Sequence, residues 1–278
     1  MKKKSNEFDI VIDPDRIQKE YLRDLFRYRE LFYFFIWRDM VVRYKQTFLG
    51  VLWALIRPLL NMAVFVLVFG KIAKLASTDI NYPLFVLSGL LPWQLFTGSL
   101  VDSSNSLVQG APIISKVYFP RIILPFTCIV ISFADFLISL GMFFVLMGLL
   151  ASFSTWTLLC MPLFIILNLV LCLGVSLWIS ALTVRYRDLR FLVPFIVQFG
   201  IFISPVGYSS FLAPDSWLWL YLLNPMAGII EGFRWSCFGV YHPYLPLAIA
   251  FSCFTSLVIL ITGFRYFRKM ENIFADII

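Results

Sequence analysis

Apolar residues run through this chain in long blocks rather than in alternation. A bilayer core of about 30 Å takes about 20 helical residues to cross. Six blocks answer to that: about 52–75, 83–105, 123–151, 156–183, 191–209 and 245–265. The first is the tightest fit. Arg57 and Lys71 stand 14 positions apart, roughly 21 Å of helix at about 1.5 Å per residue, so both side chains must snorkel outward. The fifth carries Pro194, Gly200 and Pro205. Ahead of the blocks, residues 16–47 change period. Arg16, Lys19, Glu20, Arg23, Arg27 and Glu30 recur at spacings of three and four, and Ile17, Tyr21, Leu25, Tyr28 and Phe32 do so on another face, which predicts an amphipathic helix lying at the membrane interface. Asp39 and Arg43 are spaced to pair along it. The pattern therefore predicts an all-α integral membrane protein. Residues 1–50 form a cytosolic tail and interface helix, and residues 51–278 a domain of six transmembrane helices.

Charge sharpens this picture. Of 278 residues, 14% are charged and 60% hydrophobic, against about 25% charged in soluble domains. Mean hydropathy is +0.86. Such a chain lacks the polar groups to cover a soluble globule. With the N-terminus inside and six spans, inner segments hold 20 of the 23 basic residues, and only Lys71, Lys74 and Arg234 lie outside. The excess of Lys and Arg thus reads as orientation with both termini cytosolic, not as a nucleic-acid footprint. Lys2–Lys4 are followed by polar and acidic sequence, unlike a signal peptide. The five cysteines are an odd number sitting mostly in apolar runs, unlike a disulfide scaffold.

Several chemistries are missing. His242 is the sole histidine, and no CxxC, HExxH or GxSxG spacing occurs, so no metal or nucleophile site is expected. Gly70-Lys71 is followed by Ile72, so there is no phosphate-cradling GxxxxGK[ST] loop; any ATP-driven work needs another subunit. Asp135 is the one acid deep in a span. An intramembrane acid is a functional candidate, but a lone one reads first as a carboxylate hydrogen-bonded to a neighbouring helix. Segment 102–122 is polar, then short and amphipathic, then stopped by Pro120, with Gly110 and Pro112 marking a helix break and restart. The outer segment 208–244 holds 10 aromatics in 37 residues. Asn224-Pro225 opens an apolar piece, 225–240, too short to span. It predicts short re-entrant outer helices between the fifth and sixth spans, with Glu231 and Arg234 held at the protein side. Its rings suit an interface belt or a path on which sugar faces stack.

Particular runs then point to a family. Val42-Arg43-Tyr44-Lys45-Gln46-Thr47-Phe48-Leu49-Gly50-Val51-Leu52-Trp53, followed by Arg57-Pro58-Leu59-Leu60, resembles the start of the first span in polysaccharide-exporting ABC transporter permeases of the O-antigen, capsule and teichoic-acid type. Gly89-Leu90-Leu91-Pro92-Trp93, Val117-Tyr118-Phe119-Pro120-Arg121, Tyr186-Arg187-Asp188-Leu189, Asn224-Pro225-Met226 and the tail Phe274-Ala275-Asp276-Ile277-Ile278 are similar to that family too, in its order. The first 15 residues match nothing characteristic. The resemblance implies a homodimer of six-helix bundles in the bacterial cytoplasmic membrane, above two ATP-binding subunits that hold ATP and magnesium. This chain itself would hold no cofactor and catalyse no reaction. The resemblance also implies an ATPase-coupling loop, here Gln109, Pro112, Lys116, Tyr118, Pro120 and Arg121. Its outer gate maps to about 210–240, with Trp217, Trp219, Tyr221, Asn224, Pro225, Glu231, Arg234 and Trp235. The implied cargo is a polymer on an undecaprenyl-diphosphate-type lipid, whose headgroup would meet Arg38, Arg43, Lys45 and Arg57. A drug exporter of the same superfamily and a membrane enzyme acting on lipid-linked sugars are the rival readings. The enzyme has only Asp135, Glu231 and His242 to work with, and they are scattered. A proton-coupled carrier lacks the buried ionisable residues it needs.

Overall fold

The computed structural model describes residues 26–45, 50–72, 81–150, 156–208, 221–271 and 274. All regular elements among them are helical. Helix α1 is Arg29–Lys45. Helix α2, Leu52–Phe65, continues in π-helical geometry through Val66–Ile72. Then follow α3 (Tyr82–Gln109), α4 (Ala111–Ile114) and α5 (Ile123–Leu150). A 3₁₀ turn, Thr157–Cys160, runs into α6, Met161–Arg185. The remainder are α7 (Leu189–Ile203), α8 (Pro225–Phe238) and α9 (Leu245–Glu271).

Five helical stretches are long and apolar enough to cross a membrane: Leu52–Ile72, Tyr82–Gln109, Ile123–Leu150, Thr157–Arg185 and Leu245–Glu271. The expected fifth span, 191–209, departs from its pattern. Its helix, α7, has only 15 residues, roughly 22 Å, and stops at Ile203. Pro205 is the reason. A residue before proline is pushed out of the helical region, and Ser204 sits at φ −90°, ψ 150°. The expected last span, 245–265, instead runs on to Glu271.

Helix α3 is the axis of the bundle and packs against α2, α5, α6, α7 and α8. Ser88, Gly89, Pro92, Ser99, Ser103 and Ser104 are as buried in it as its leucines, because small and polar positions let neighbouring helices approach. Pro92 lies inside it. The amide of Asn168, fully buried on α6, donates to the Pro92 carbonyl at 2.9 Å, bracing the two helices. Helices α6 and α9 touch backbone to backbone. A Cβ on Gly174 would come within 2.7 Å of the Leu260 nitrogen, and one on Gly263 within 2.5 Å of the Gly174 oxygen.

The core divides by height. One cluster joins Phe35, Leu107, Ile114, Phe119, Leu177, Val184, Phe267, Met270 and Phe274, at the end of the bundle that carries α1, α4 and the loop 186–188. Two others, centred on Leu87, Phe143, Phe164 and Phe233 and on Phe85, Leu90, Leu171 and Ile230, fill the opposite half around α8. The first cluster lies at the basic end of the bundle, beside Lys116, Arg121, Arg185, Arg268 and Lys269.

Candidate functional site

At the basic end, α1 lies against α5. Phe35 is buried on Phe119, ring centres 5.7 Å apart, and Phe32 meets Phe126 at 5.3 Å. Tyr33, Phe34 and Trp37 stay exposed, the arrangement that an interface helix needs, one face on protein and its other rings outward. The part of the expected 16–47 helix before residue 26 and after residue 45 lies outside the described residues.

Two of the expected basic residues, Arg38 and Arg43, lie on this helix, and both are paired. Arg43 Nη1 meets Asp102 at 3.0 Å and Nη2 meets Asp135 at 2.7 Å. The Tyr44 hydroxyl donates to Asp135 at 2.5 Å. Burial alone pushes the Arg43 pKa down, but the two carboxylates outweigh it and hold it above its ordinary value. Burial raises the Tyr44 phenol, and the hydrogen bond to Asp135 adds to that. Arg43 is therefore a fixed cation neutralised by two acids, and Asp135 ties α1 to the middle of α5. The expected Asp39–Arg43 pair gives way: Asp39 takes Arg38, 2.7 Å away, while Arg43 turns inward. Arg38 also lies over the Phe35 ring. Lys45 is exposed. Arg57, exposed on α2, lies 5.9 Å from the Trp53 ring centre and has no ion pair among the described residues.

The expected coupling loop is a compact built element. Gln109 ends α3 and is exposed. Gly110 caps that helix, and Pro112 opens α4, as the Gly–Pro spacing predicts. Lys116 and Tyr118 face solvent, whereas Phe119 and Pro120 are buried. The backbone N–H of Arg121 donates to Glu271 Oε1 at 2.8 Å, and its guanidinium donates to the Glu271 carbonyl and lies 5.9 Å from the Phe274 ring. A surface hollow of about 220 Å³ is lined by Ile114, Lys116, Tyr118, Phe119 and Arg121 among others. Asp102, Tyr44 and Glu271 are the partners that sequence reasoning missed. The Phe274 tail was visible only through its resemblance.

At the opposite end, α8 is a buried strut among α3, α6 and α9. Asn224 caps it, accepting from the Met226 N–H at 3.0 Å, and Pro225 supplies the first turn. The other amide atom of Asn224 donates to Ser204 Oγ at 3.0 Å, which ties the cap to the break after α7. That break leaves carbonyls without helical partners, and side chains take them. Arg234 Nη2 donates to Val206 at 2.6 Å and Nη1 to Tyr208 at 3.3 Å. The Tyr82 hydroxyl donates to Gly207 at 2.6 Å, and the Tyr208 hydroxyl to Phe202 and Ile203. Arg234 is 4% exposed, sits 3.7 Å from the Phe85 ring centre and meets Glu231 at 3.4 Å. Trp235 is half-buried and packs edge-on against Phe164. Tyr221 is half-buried beside Tyr208. Trp217 and Trp219 lie outside the described residues. His242, in the turn before α9, accepts from the Tyr244 N–H at 3.2 Å; burial holds it below its ordinary pKa, with the Glu231 carboxylate pulling the other way.

Comparison with known proteins adds a lineage to these geometries. A family profile described as "ABC-2 type transporter" matches residues 30–238. The O-antigen export system permease protein RfbA of Klebsiella pneumoniae is 29% identical over 245 residues, covering 87% of this chain and 92% of that protein. The O-antigen export system permease protein RfbA of Myxococcus xanthus is 30% identical over 215 residues, or 77% and 82%. The polysialic acid transport protein KpsM of Escherichia coli is 23% identical over 248 residues, or 84% and 91%.

Proposed function

Because the chain belongs to the ABC-2 type transporter family, whose permeases work with separate ATP-binding subunits, we propose that it is the membrane subunit of an exporter of lipid-linked polysaccharide. One observation carries this reading. Relatives named for O-antigen export and for polysialic acid transport align with it over most of their own length, so two kinds of carbohydrate polymer are served by chains similar to this one. In this reading two copies pair in the bacterial cytoplasmic membrane with both termini cytosolic. The crossing from Leu189 to Tyr208 is completed by its non-helical end, and α8 dips into the outer leaflet. Two partner subunits bind ATP and magnesium, and this chain supplies no nucleotide chemistry.

The parts then have physical roles. The loop Gln109–Arg121 receives the push of the ATP-binding subunit and, through Arg121 and Glu271, passes it to α9. The diphosphate head of an undecaprenyl-type lipid is drawn by Lys45, Arg38 and Arg57 at the cytosolic surface; Arg43 contributes little, since two carboxylates already neutralise it. Deletion of the chain tests the reading. Lipid-linked glycan should accumulate at the cytosolic face. A normal surface polymer, or a cell that makes no lipid-linked glycan without this chain, would overturn it.

A further inference from the structure

The half of α9 nearest Glu271 carries a surface that it shares with α6. Phe254, Leu257, Val258 and Ile261 recur along α9 at spacings of three and four and are each at least 42% exposed, an apolar stripe of the kind that lipid chains cover. The stripe then changes chemistry on the same face. Arg265 and Lys269 continue it past Ile261, both are exposed, and neither has an ion pair among the described residues. Beside them two rings are held in place. Trp178 of α6 stacks on Tyr266 with centres 4.4 Å apart and planes 13° apart, and its indole N–H donates to Thr262 Oγ1 at 3.2 Å. Gly263 leaves the room for this, since a Cβ there would come within 2.9 Å of the indole.

The rings give the depth and the cations give the partner. Trp and Tyr concentrate where a bilayer passes from chains to headgroups. Trp178 lies about two turns before α6 ends at Arg185, and Tyr266 between one and two turns before α9 ends at Glu271. A cation at that depth meets phosphate rather than hydrocarbon. Glu271, the acid on this end of α9, is held by Arg121, and Arg185, exposed where α6 ends, adds charge of the same sign. Apolar stripe, aromatic step and two unneutralised cations follow the order of a phospholipid: chain, ester region, phosphate. We propose that the α6–α9 face binds an anionic phospholipid, with its phosphate held by Arg265 and Lys269 and a chain laid along Phe254, Val258 and Ile261. A net negative headgroup is selected, because a zwitterionic one brings its own cation to the same place. The proposal needs α6 and α9 to cross a membrane, for which both are long and apolar enough, and is independent of what the transporter carries.

The test uses the transporter with its ATP-binding subunits, delipidated in detergent. It is titrated with phosphatidylglycerol or with phosphatidylcholine of the same chains, and bound lipid is counted by native mass spectrometry. Wild type should bind phosphatidylglycerol at least about tenfold more tightly than phosphatidylcholine. Arg265→Gln should weaken phosphatidylglycerol about fivefold and Arg265→Gln/Lys269→Gln about twentyfold, with phosphatidylcholine unchanged. Melting temperatures should stay at the wild-type value, because both side chains are exposed. Arg187→Gln/Arg190→Gln removes two exposed cations at the start of α7 and should leave both lipids bound as in wild type. Equal affinity of wild type for the two lipids would make this face annular contact only. Equal loss in the Arg187 and Arg190 variant would reduce the effect to diffuse positive charge. A fall in melting temperature with loss of both lipids would give Arg265 and Lys269 to the fold, and shedding of the ATP-binding subunits would make the patch a protein dock. Any of these four results overturns the proposal.

Discussion

Arg43 has two carboxylate partners, and both are distant along the chain: Asp102 is 59 residues away, and Asp135, 91 residues beyond the neighbouring Tyr44, shares the cluster. Removing the cation leaves both acids facing each other in a partly desolvated place. Arg43→Ala should lower the stability of the purified transporter by about 1–2 kcal/mol, discounted because all three side chains keep some exposure. The double variant Arg43→Ala/Asp135→Ala should lose less than the two single variants added together, as thermal unfolding of all four proteins would reveal; simple additivity would refute the cluster. The acid half of this arrangement was legible in the sequence, since a carboxylate inside an apolar run must be answered by something. Its answer was not. The i,i+4 rule offered Asp39 to Arg43, but Asp39 takes the adjacent Arg38, and Arg43 meets two carboxylates from α3 and α5 instead of one.

At the scale of elements, proline and glycine decided most boundaries. Asn224-Pro225, Gly110–Pro112 and Ser204-Pro205 each mark an observed helix end or start, and the apolar blocks fall within a few residues of the five long helices. The short α7 was the exception. Its hydropathy continues past Ile203, and hydropathy alone cannot register that a proline ends the hydrogen-bonding pattern. Nor does it show that Arg234, on another element, is placed to take the freed carbonyls. Arg234→Lys retains the charge but not the fork that spans Val206 and Tyr208. It should cost about 2–3 kcal/mol and reduce export in cells at matched protein levels; wild-type stability would show that the carbonyls do not depend on the fork. Glycine gives a sharper contrast. Gly174→Ala and Gly263→Ala put a methyl against backbone and should each destabilise by about 1–3 kcal/mol. Gly141→Ala meets nothing within 4 Å and should be neutral or slightly stabilising. Melting curves for the three single variants decide it.

Taken whole, the molecule joins its most distant sequence segments at one end. Helix α1, the loop after α3 and the tail after α9 share a single apolar cluster, and Arg121 fastens the loop to Glu271. Arg121→Ala should leave ATP hydrolysis by the partner subunits running while export falls, measured side by side in proteoliposomes; equal loss of both would mean that the loop serves assembly instead. The backbone contact at Gly174 and Gly263 gives this linkage its reach. Most helices in the bundle are separated by a layer of side chains, which can yield by changing rotamer before the neighbouring helix moves. Where Gly174 meets Leu260 and Gly263 that layer is absent, and the backbones of α6 and α9 bear directly on each other. A displacement delivered at Glu271 would therefore meet α6 at Gly174 with no side chain between to absorb it, and would load the bond by which Asn168 holds the Pro92 carbonyl.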